Sequence, residues 1–294
     1  MKKTPDVSIV VLNYNTSDLL DAALESIQST VDSLSVSVVV IDNASTDGGI
    51  SASTKKFVQD SRFDFIQNEK NVGLAAMNIM LSETKGKYIL TMDPDARLLS
   101  GALRALINFL EATPEAGAAT ANLLNADGTE QRYFRRLITP SLGFFTTVMG
   151  RFIDKYFLGL RQFKKYHYED ADLTKIVEIE QPSVSCLLIR RAVIGEYIID
   201  PDTPFYFTDV GLCKRIYNQG YKIYLVPDAK VIHLKSTSFK KTRNAWRTQE
   251  YYRSLMMYFK KEYPNYAPTM WFILWGDRLL RDLMLSIMDR EPMR

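Results

Sequence analysis

Apolar residues run almost unbroken through 7–12, 36–41 and 88–92, and each run stops at a polar residue, Asn13, Asp42 and Asp93. Runs this short, rich in Val and Ile, are strands covered on both faces, as in a parallel sheet. Between them the period changes. Leu19, Leu20, Ala23, Leu24 and Ile27 recur at helical spacing, and so do Leu103, Leu106, Ile107 and Leu110. A shorter strand is predicted over 63–66, a helix over 74–83 and a further strand over 118–124. Strand and helix alternate, which predicts an α/β fold with a doubly wound, mostly parallel central sheet. Such sheets bind ligands beyond the carboxyl ends of their strands, so the polar residues that end the runs are the first candidates for function.

After a turn at Asn125-Ala126-Asp127-Gly128 the character changes. Residues 132–168 mix aromatic and basic side chains with little strand signal and predict helices and loops. A strand is expected over 184–189 and a helix over 209–218, closed by Gly220. Two further strands, 221–226 and 229–234, are expected on either side of Pro227-Asp228. After Ser236 the chain predicts helix to its end. This organisation gives a core over 1–238, in halves 1–125 and 126–238, and a helical C-terminal extension over 239–294.

Composition changes the picture in two places. The chain is 46% hydrophobic and 24% charged, an ordinary globular mixture, and its net charge of +3 gives no reason to expect nucleic acid as a partner. The charge is uneven, however. Residues 230–294 carry 13 Lys/Arg against 6 Asp/Glu, a net of +7, which leaves −4 for the first 229 residues. A basic tail on an acidic body points either to an anionic surface or to a solvated helical face. The two cysteines, Cys186 and Cys213, lie in apolar segments without ligand spacing and predict buried, inert thiols. The apolar run after the N-terminus is too short for a signal-peptide core, and no stretch reaches the ~20 apolar residues of a membrane span. The expected setting is reducing and cytoplasmic.

Asp93-Pro94-Asp95 follows the buried strand 88–92 directly. Two carboxylates one residue apart can converge on a divalent cation, and hard oxygen ligands suit Mg2+ or Mn2+. The alternative is a surface turn, where Asp and Pro are common. His233 ends the expected strand 229–234 and faces the same sheet edge, either as a ligand or as a hydrogen-bonded structural histidine. Gly-rich dinucleotide and P-loop signatures are absent from the sequence, which counts against oxidoreductases and P-loop enzymes.

In order along the chain, Val7-Ser8-Ile9-Val10-Val11-Leu12-Asn13-Tyr14-Asn15, Val40-Ile41-Asp42-Asn43-Ala44-Ser45-Thr46-Asp47-Gly48, the segment 68–78, Asp93-Pro94-Asp95 and the segment 207–233 resemble the family 2 inverting glycosyltransferases. The nearest branch is the bacterial rhamnosyltransferase-like one. The resemblance spans residues 7 to about 238. It implies a Rossmann-like GT-A fold, with 1–125 as the nucleotide-binding half and 126–238 as the acceptor-binding half. It also implies a nucleoside-diphosphate sugar donor held by Asn13, Tyr14, Asn15, Asp42, Asn71, Gly73 and Asp93, and a cation on Asp93 and Asp95 with His233 beside it. Asp42 would contact base or ribose, or cap the turn that follows; Asn71 would bond the base, or cap a helix. Gly73 would permit close backbone approach.

By the same resemblance Asp209 is the catalytic base. The family usually has Glu before that Asp and a second Asp two residues after it. Here those places hold Thr208 and Gly211. The alternative for Asp209 is a helix cap. Arg132, Arg135 and Arg136 are expected on a loop, shielding the site, contacting leaving-group charge, or, for at least two of them, simply solvated; Lys235, Ser236 and Ser238 are candidates for phosphate contact. The acceptor is expected to be a glycan or a lipid-linked sugar. Two aromatic and basic segments, 144–166 and 271–281, suit a helix lying on the inner face of the cell membrane, or else packing onto the core or a homodimer contact. A nucleotidyltransferase is disfavoured, because the loop Asn13-Tyr14-Asn15-Thr16 has neither Gly nor a basic residue. A non-catalytic docking partner in a synthase complex is the reading from outside enzymology.

Overall fold

The computed structural model describes residues 5–31, 34–234 and 244–288. Strand β1 (Val7–Asn13) leads through helix α1 (Ser17–Thr30) to β2 (Val36–Asp42), then through α2 (Ser51–Phe57) to β3 (Phe63–Gln67). A 3-10 helix (Gly73–Ile79) and the short α3 (Met80–Glu83) precede β4 (Tyr88–Met92). β5 (Ala96–Leu98), α4 (Ala102–Ala112) and β6 (Ala116–Leu124) follow. β1 pairs in parallel with both β2 and β4, and β3 joins β2 in the same sense. Alternate residues of β1 serve opposite faces of the sheet. Ile9 and Val11 pack with Leu20, Leu24 and Ile27 of α1 and Leu106 of α4. Val10 and Leu12 pack on the other side with Met77 and Met80. That two-sided burial is why the runs are continuously apolar.

β7 (Val177–Glu178), β8 (Cys186–Arg190) and β9 (Lys222–His233) complete a sheet of order β3-β2-β1-β4-β8-β6-β9-β5, with β7 on β9. β8 runs antiparallel between β4 and β6, and β6 and β9 are parallel. The fold is therefore α/β with a mostly parallel sheet.

Four local expectations change. Residues 73–79 wind as a 3-10 helix, drawn tight by long-range bonds. The N–H of Leu74 donates to the carbonyl of Pro204 (2.8 Å), and Asn78 exchanges three bonds with Ile198 and Ile199. The strand expected from 184 starts at Cys186, because Ser183 to Ser185 form a turn with their hydroxyls bonded at 2.7 Å. β5 and β7 are too short to leave a periodic signal. The two strands expected around Pro227-Asp228 are one strand, β9, whose register against β6 jumps between Val226 and Lys230. This bulge bends β9 so that its last residues also pair with β5, setting His233 opposite Ala96.

The second half adds α5 (Pro140–Thr146), α6 (Val148–Ile153), a π-helical turn (Asp154–Leu158), α7 (Gln162–Tyr166), α8 (Thr208–Asn218), α9 (Asn244–Glu262) and α10 (Ala267–Met288). Pro264 opens a single 3-10 turn that separates α9 from α10. Tyr252, Leu255, Tyr258, Phe259, Met270 and Leu274 of these two helices bury against Ile138 and Val210. Asp277 of α10 fixes the arrangement. Its carboxylate accepts from the N–H of Val148 (2.6 Å), the hydroxyl of Tyr252 (2.6 Å) and Arg281 (2.9 Å).

Candidate active site

Parallel pairing brings the carboxyl ends of β3, β2, β1 and β4 to one edge of the sheet, so the residues that stop the apolar runs are neighbours. Asp93 and Asp95 leave β4 in a turn closed by the Ala96 N–H on the Asp93 carbonyl (3.1 Å). Asp93 is half-buried and Asp95 is buried. β9 returns His233 against them: its Nε2 lies 3.5 Å from Asp93 Oδ2 and 3.4 Å from Asp95 Oδ1. The three side chains each offer one ligand atom, all within 4.8 Å of one another. Burial opposes charge on the imidazole, but hydrogen bonds and charge from Asp93 and Asp95 prevail, and its pKa is pushed up to about 9. Two carboxylates and an imidazole form a donor set that fits Mg2+ or Mn2+, with the nitrogen favouring the transition ion.

The residues expected to hold the nucleoside fall into two groups. Asn13 and Asp42 are fully buried and engaged by the chain. Asp42 accepts from Asn13 (2.7 Å), from the hydroxyl and N–H of Ser45, and from Gln67. Its carboxylate thus caps the turn and ties three strand ends together. Gly73, at φ +66°, permits a close approach, but of Pro204: a Cβ there would come within 2.5 Å of the Pro204 carbonyl oxygen. Tyr14, Asn15 and Asn71 stand on the rim with exposed surface. Asn15 accepts from the N–H of Thr46 (2.8 Å), and Asn71 accepts from Asn43 and from the N–H of Gly73. Asn43 is the hub the sequence did not reveal. It is buried and bonds Asn68, Asn71, Val72 and Gly73, joining the two rim loops.

Asp209 lies in the first turn of α8, whose preceding residue Phe207 has a left-handed backbone and no side-chain cap. Its carboxylate accepts from the N–H of Val210 (3.0 Å). Burial raises its pKa, while the Gln181 amide, the backbone and the charge of Arg135 hold the rise in check. Arg135 exchanges backbone bonds with Gln181 (2.9 and 3.0 Å) and stands over the Tyr166 ring. Gln181 is buried, and its Oε1 has no hydrogen-bond partner. The same segment continues to Ser185, whose carbonyl accepts from the N–H of Asp93 (3.0 Å). One short stretch therefore links the surroundings of Asp209 to the carboxylate pair. Tyr133 joins them too: its ring meets His233 edge-on at 5.9 Å, and it feels the charges of Arg135, Asp95 and Asp93.

Of the three arginines, Arg135 lies close enough for its charge to act on Asp209 and Tyr133. Arg132 reaches the Tyr168 carbonyl (3.4 Å) and Arg136 pairs with Glu180 (3.1 Å). Lys235, Ser236 and Ser238 lie outside the described residues. Cys186 and Cys213 are buried thiols with raised pKa values, Cys186 to about 12. Asn43 and Gln181 carry no sequence signal, and neither does Gln131, a buried residue whose amide bonds His233 through both its ends, since a single polar residue in a loop has no period to betray its burial.

Residues 8–197 match the profile of the glycosyl transferase family 2. The chain belongs to that family. It is 26% identical over 254 residues to the N-acetylglucosaminyl-diphospho-decaprenol L-rhamnosyltransferase of Mycobacterium tuberculosis, covering 80% of this chain and 78% of that one. It is 31% identical over 105 residues to the GalNAc(5)-diNAcBac-PP-undecaprenol beta-1,3-glucosyltransferase of Campylobacter jejuni, covering 35% of this chain and 34% of that one. A mannosyltransferase of Pyrobaculum calidifontis, solved with GDP-Man and Mn2+, superposes with a TM-score of 0.58 at 18% identity, over 99% of this chain and 77% of that one. The expected GT-A fold is the fold observed. As a family 2 glycosyltransferase, the chain has Asp93 and Asp95 inside the matched span and Asp209 beyond it.

Proposed function

We propose that this chain is an inverting glycosyltransferase that uses a nucleoside-diphosphate sugar, dTDP-rhamnose or a UDP-hexose, and acts in bacterial surface polysaccharide assembly. The observation that carries the reading is the convergence of Asp93, Asp95 and His233 at the end of β4. Asp95 and His233 would hold Mg2+ or Mn2+ from the buried side, and the half-exposed Asp93 would complete the site and face the donor. When bound, the cation offsets charge on the diphosphate leaving group. Tyr14, Asn15 and Asn71 meet the nucleoside on the rim, while Asn13, Asp42 and Gly73 hold the loops beneath them. The half 1–125 binds the donor, and 126–238 binds the acceptor.

Asp209 is the base in this reading. It accepts the proton of the acceptor hydroxyl as that oxygen bonds to the anomeric carbon. The bond to the diphosphate breaks in line, and its electron pair leaves with the diphosphate. Burial keeps the carboxylate basic, and Arg135 and Gln181 keep it ionised and oriented. Thr208 and Gly211 remove two carboxylates that would otherwise surround it.

The acceptor is proposed to be a lipid-linked sugar, since the named relatives act on decaprenol and undecaprenol diphosphates. No helix among the described residues is long and apolar enough to cross a membrane. α6, the π-helical turn and α10 instead expose Phe152, Tyr156, Phe157, Trp271, Phe272 and Trp275, with Lys155 and Arg278 among them. This face would rest on the inner surface of the cell membrane.

The test is thermal stability with UDP, dTDP and GDP, with and without Mn2+. A ligand that binds only the folded state raises the midpoint. The expected result is a Mn2+-dependent rise with one nucleotide that disappears in Asp95→Ala. No rise with any nucleotide would leave the fold serving as a docking partner, and the transferase reading would fail.

A further inference from the structure

Gln131 is buried, lies outside every motif considered above, and is bonded through both ends of its amide. Its Nε2 faces three acceptors: the Leu124 carbonyl (3.2 Å), Asn125 Oδ1 (2.9 Å) and the main-chain carbonyl of His233 (2.5 Å). Its Oε1 faces His233 Nδ1 at 3.0 Å. The three carbonyl-type acceptors decide which end of the amide is nitrogen, because an oxygen there would meet only other oxygens. The end facing His233 is therefore oxygen, and the Nδ1 opposite it must carry a proton to donate. A neutral imidazole protonated at Nδ1 has its lone pair on Nε2, the atom aimed at Asp93 and Asp95.

We propose that Gln131 is a positioning residue for the cation site: it selects the His233 tautomer that presents Nε2 to the metal and clamps the end of β9 so that the ring cannot swing away. The inference rests on the proposed cation site. Gln131 holds the residue at two points, ring and main chain, so ring rotation would break the Nδ1 bond while the bend of β9 stays fixed. The Tyr133 ring also packs against the imidazole in a T-shaped contact at 5.9 Å. Partners of this kind behind a metal-ligating histidine typically change metal affinity 10–100-fold when removed.

Two measurements on the full chain test it. The first uses wild-type protein labelled with 15N-histidine and loaded with Zn2+, a diamagnetic probe. The chain has only two histidines, so the His233 signals can be separated from those of His167. The expected spectrum places the remaining ring proton on Nδ1. A proton on Nε2, with Nδ1 bound to the ion, overturns the proposal and leaves the cation site standing. The second compares Mn2+ affinity, followed by electron paramagnetic resonance, in wild type and Gln131→Leu. The expected result is an affinity lower by about 10–100-fold in the variant. An unchanged affinity in a folded variant overturns the proposal. Should Gln131→Leu not fold, the wild-type spectrum decides alone. A wild-type chain that binds neither Zn2+ nor Mn2+ overturns the cation site and this inference together.

Discussion

At the scale of single residues the decisive comparison is between Asp42 and Asp209, two carboxylates that end up with opposite surroundings. Asp42 is saturated by donors from its own chain, so its charge holds loops together. Asp209 has two backbone donors, the N–H of Val210 and its own, with an arginine nearby and a glutamine whose oxygen is unpaired. Burial raises its pKa, and a base must be unprotonated to work, so the acid limb of kcat/KM should lie above the ordinary aspartate value. The Gln181 amide pulls that pKa down, so Gln181→Leu should move the limb further up. A pH profile of transfer in the two proteins checks the sign; a limb that moves down or stays put removes Gln181 from the site. Asp209→Asn should cost on the order of 100–10,000-fold in kcat while nucleotide binding persists. Asp93 and Asp95 stand out in the sequence because they directly follow the patterned strand β4, whereas Asp209 opens α8 and stands out only through the family resemblance. Gln131 and Gln181 do not, because their roles come from contacts across 102 residues and from an orphaned atom, neither of which leaves a local pattern.

Elements show the same division. The apolar runs that became β1, β2 and β4 were readable because both faces are buried, and burial on both faces is written into every position. Pro227 and Asp228 are turn formers and predict two strands, yet the sheet absorbs them as a bulge between two stretches of pairing in β9. That bulge shapes the candidate site, since it carries His233 to the acidic pair. The 3-10 helix at 73–79 was read as α because its apolar spacing fits either; only the bonds to Pro204, Ile198 and Ile199 decide the tighter winding. Gly73→Ala should therefore be destabilising by about 1–3 kcal/mol, from the left-handed backbone together with the clash at Pro204. In the C-terminal helices Phe259 is fully buried against Gly143 and Met270. Phe259→Ala should cost about 3–5 kcal/mol, and urea denaturation of the full chain reads both variants. A loss under 1 kcal/mol for Phe259→Ala would show that α9 and α10 are not integrated with the core they pack on.

For the whole molecule, the two sides of the C-terminal helices have different jobs. The inner side buries Tyr258, Phe259, Met270 and Leu274 and completes the wall behind α8, so these helices reach the neighbourhood of Asp209. The outer side of α10 leaves Phe272 at 66% exposed, and the π-helical turn leaves Phe157 at 74%; Asp277 ties α10 to the start of α6 through Val148. Scattered exposed aromatics need no explanation, but two aromatic segments held side by side with basic residues do. If this face meets a bilayer, apolar insertion and attraction to anionic lipid should both contribute, and the second should weaken with salt. The full chain should then float with vesicles containing an anionic phospholipid, less with neutral ones, and less again in high salt. The triple change Phe157→Ser, Trp271→Ser and Trp275→Ser should abolish flotation while leaving the nucleotide-dependent thermal shift intact, because none of the three touches the donor loops. Flotation that survives the triple change rules the face out as the bilayer contact. Loss of flotation accompanied by a fall from dimer to monomer in sedimentation would instead assign the aromatics to a contact between two copies of the chain. The separation matters for the proposed acceptor: a lipid-linked hydroxyl is held at the membrane surface, and a chain bound to that surface meets it there.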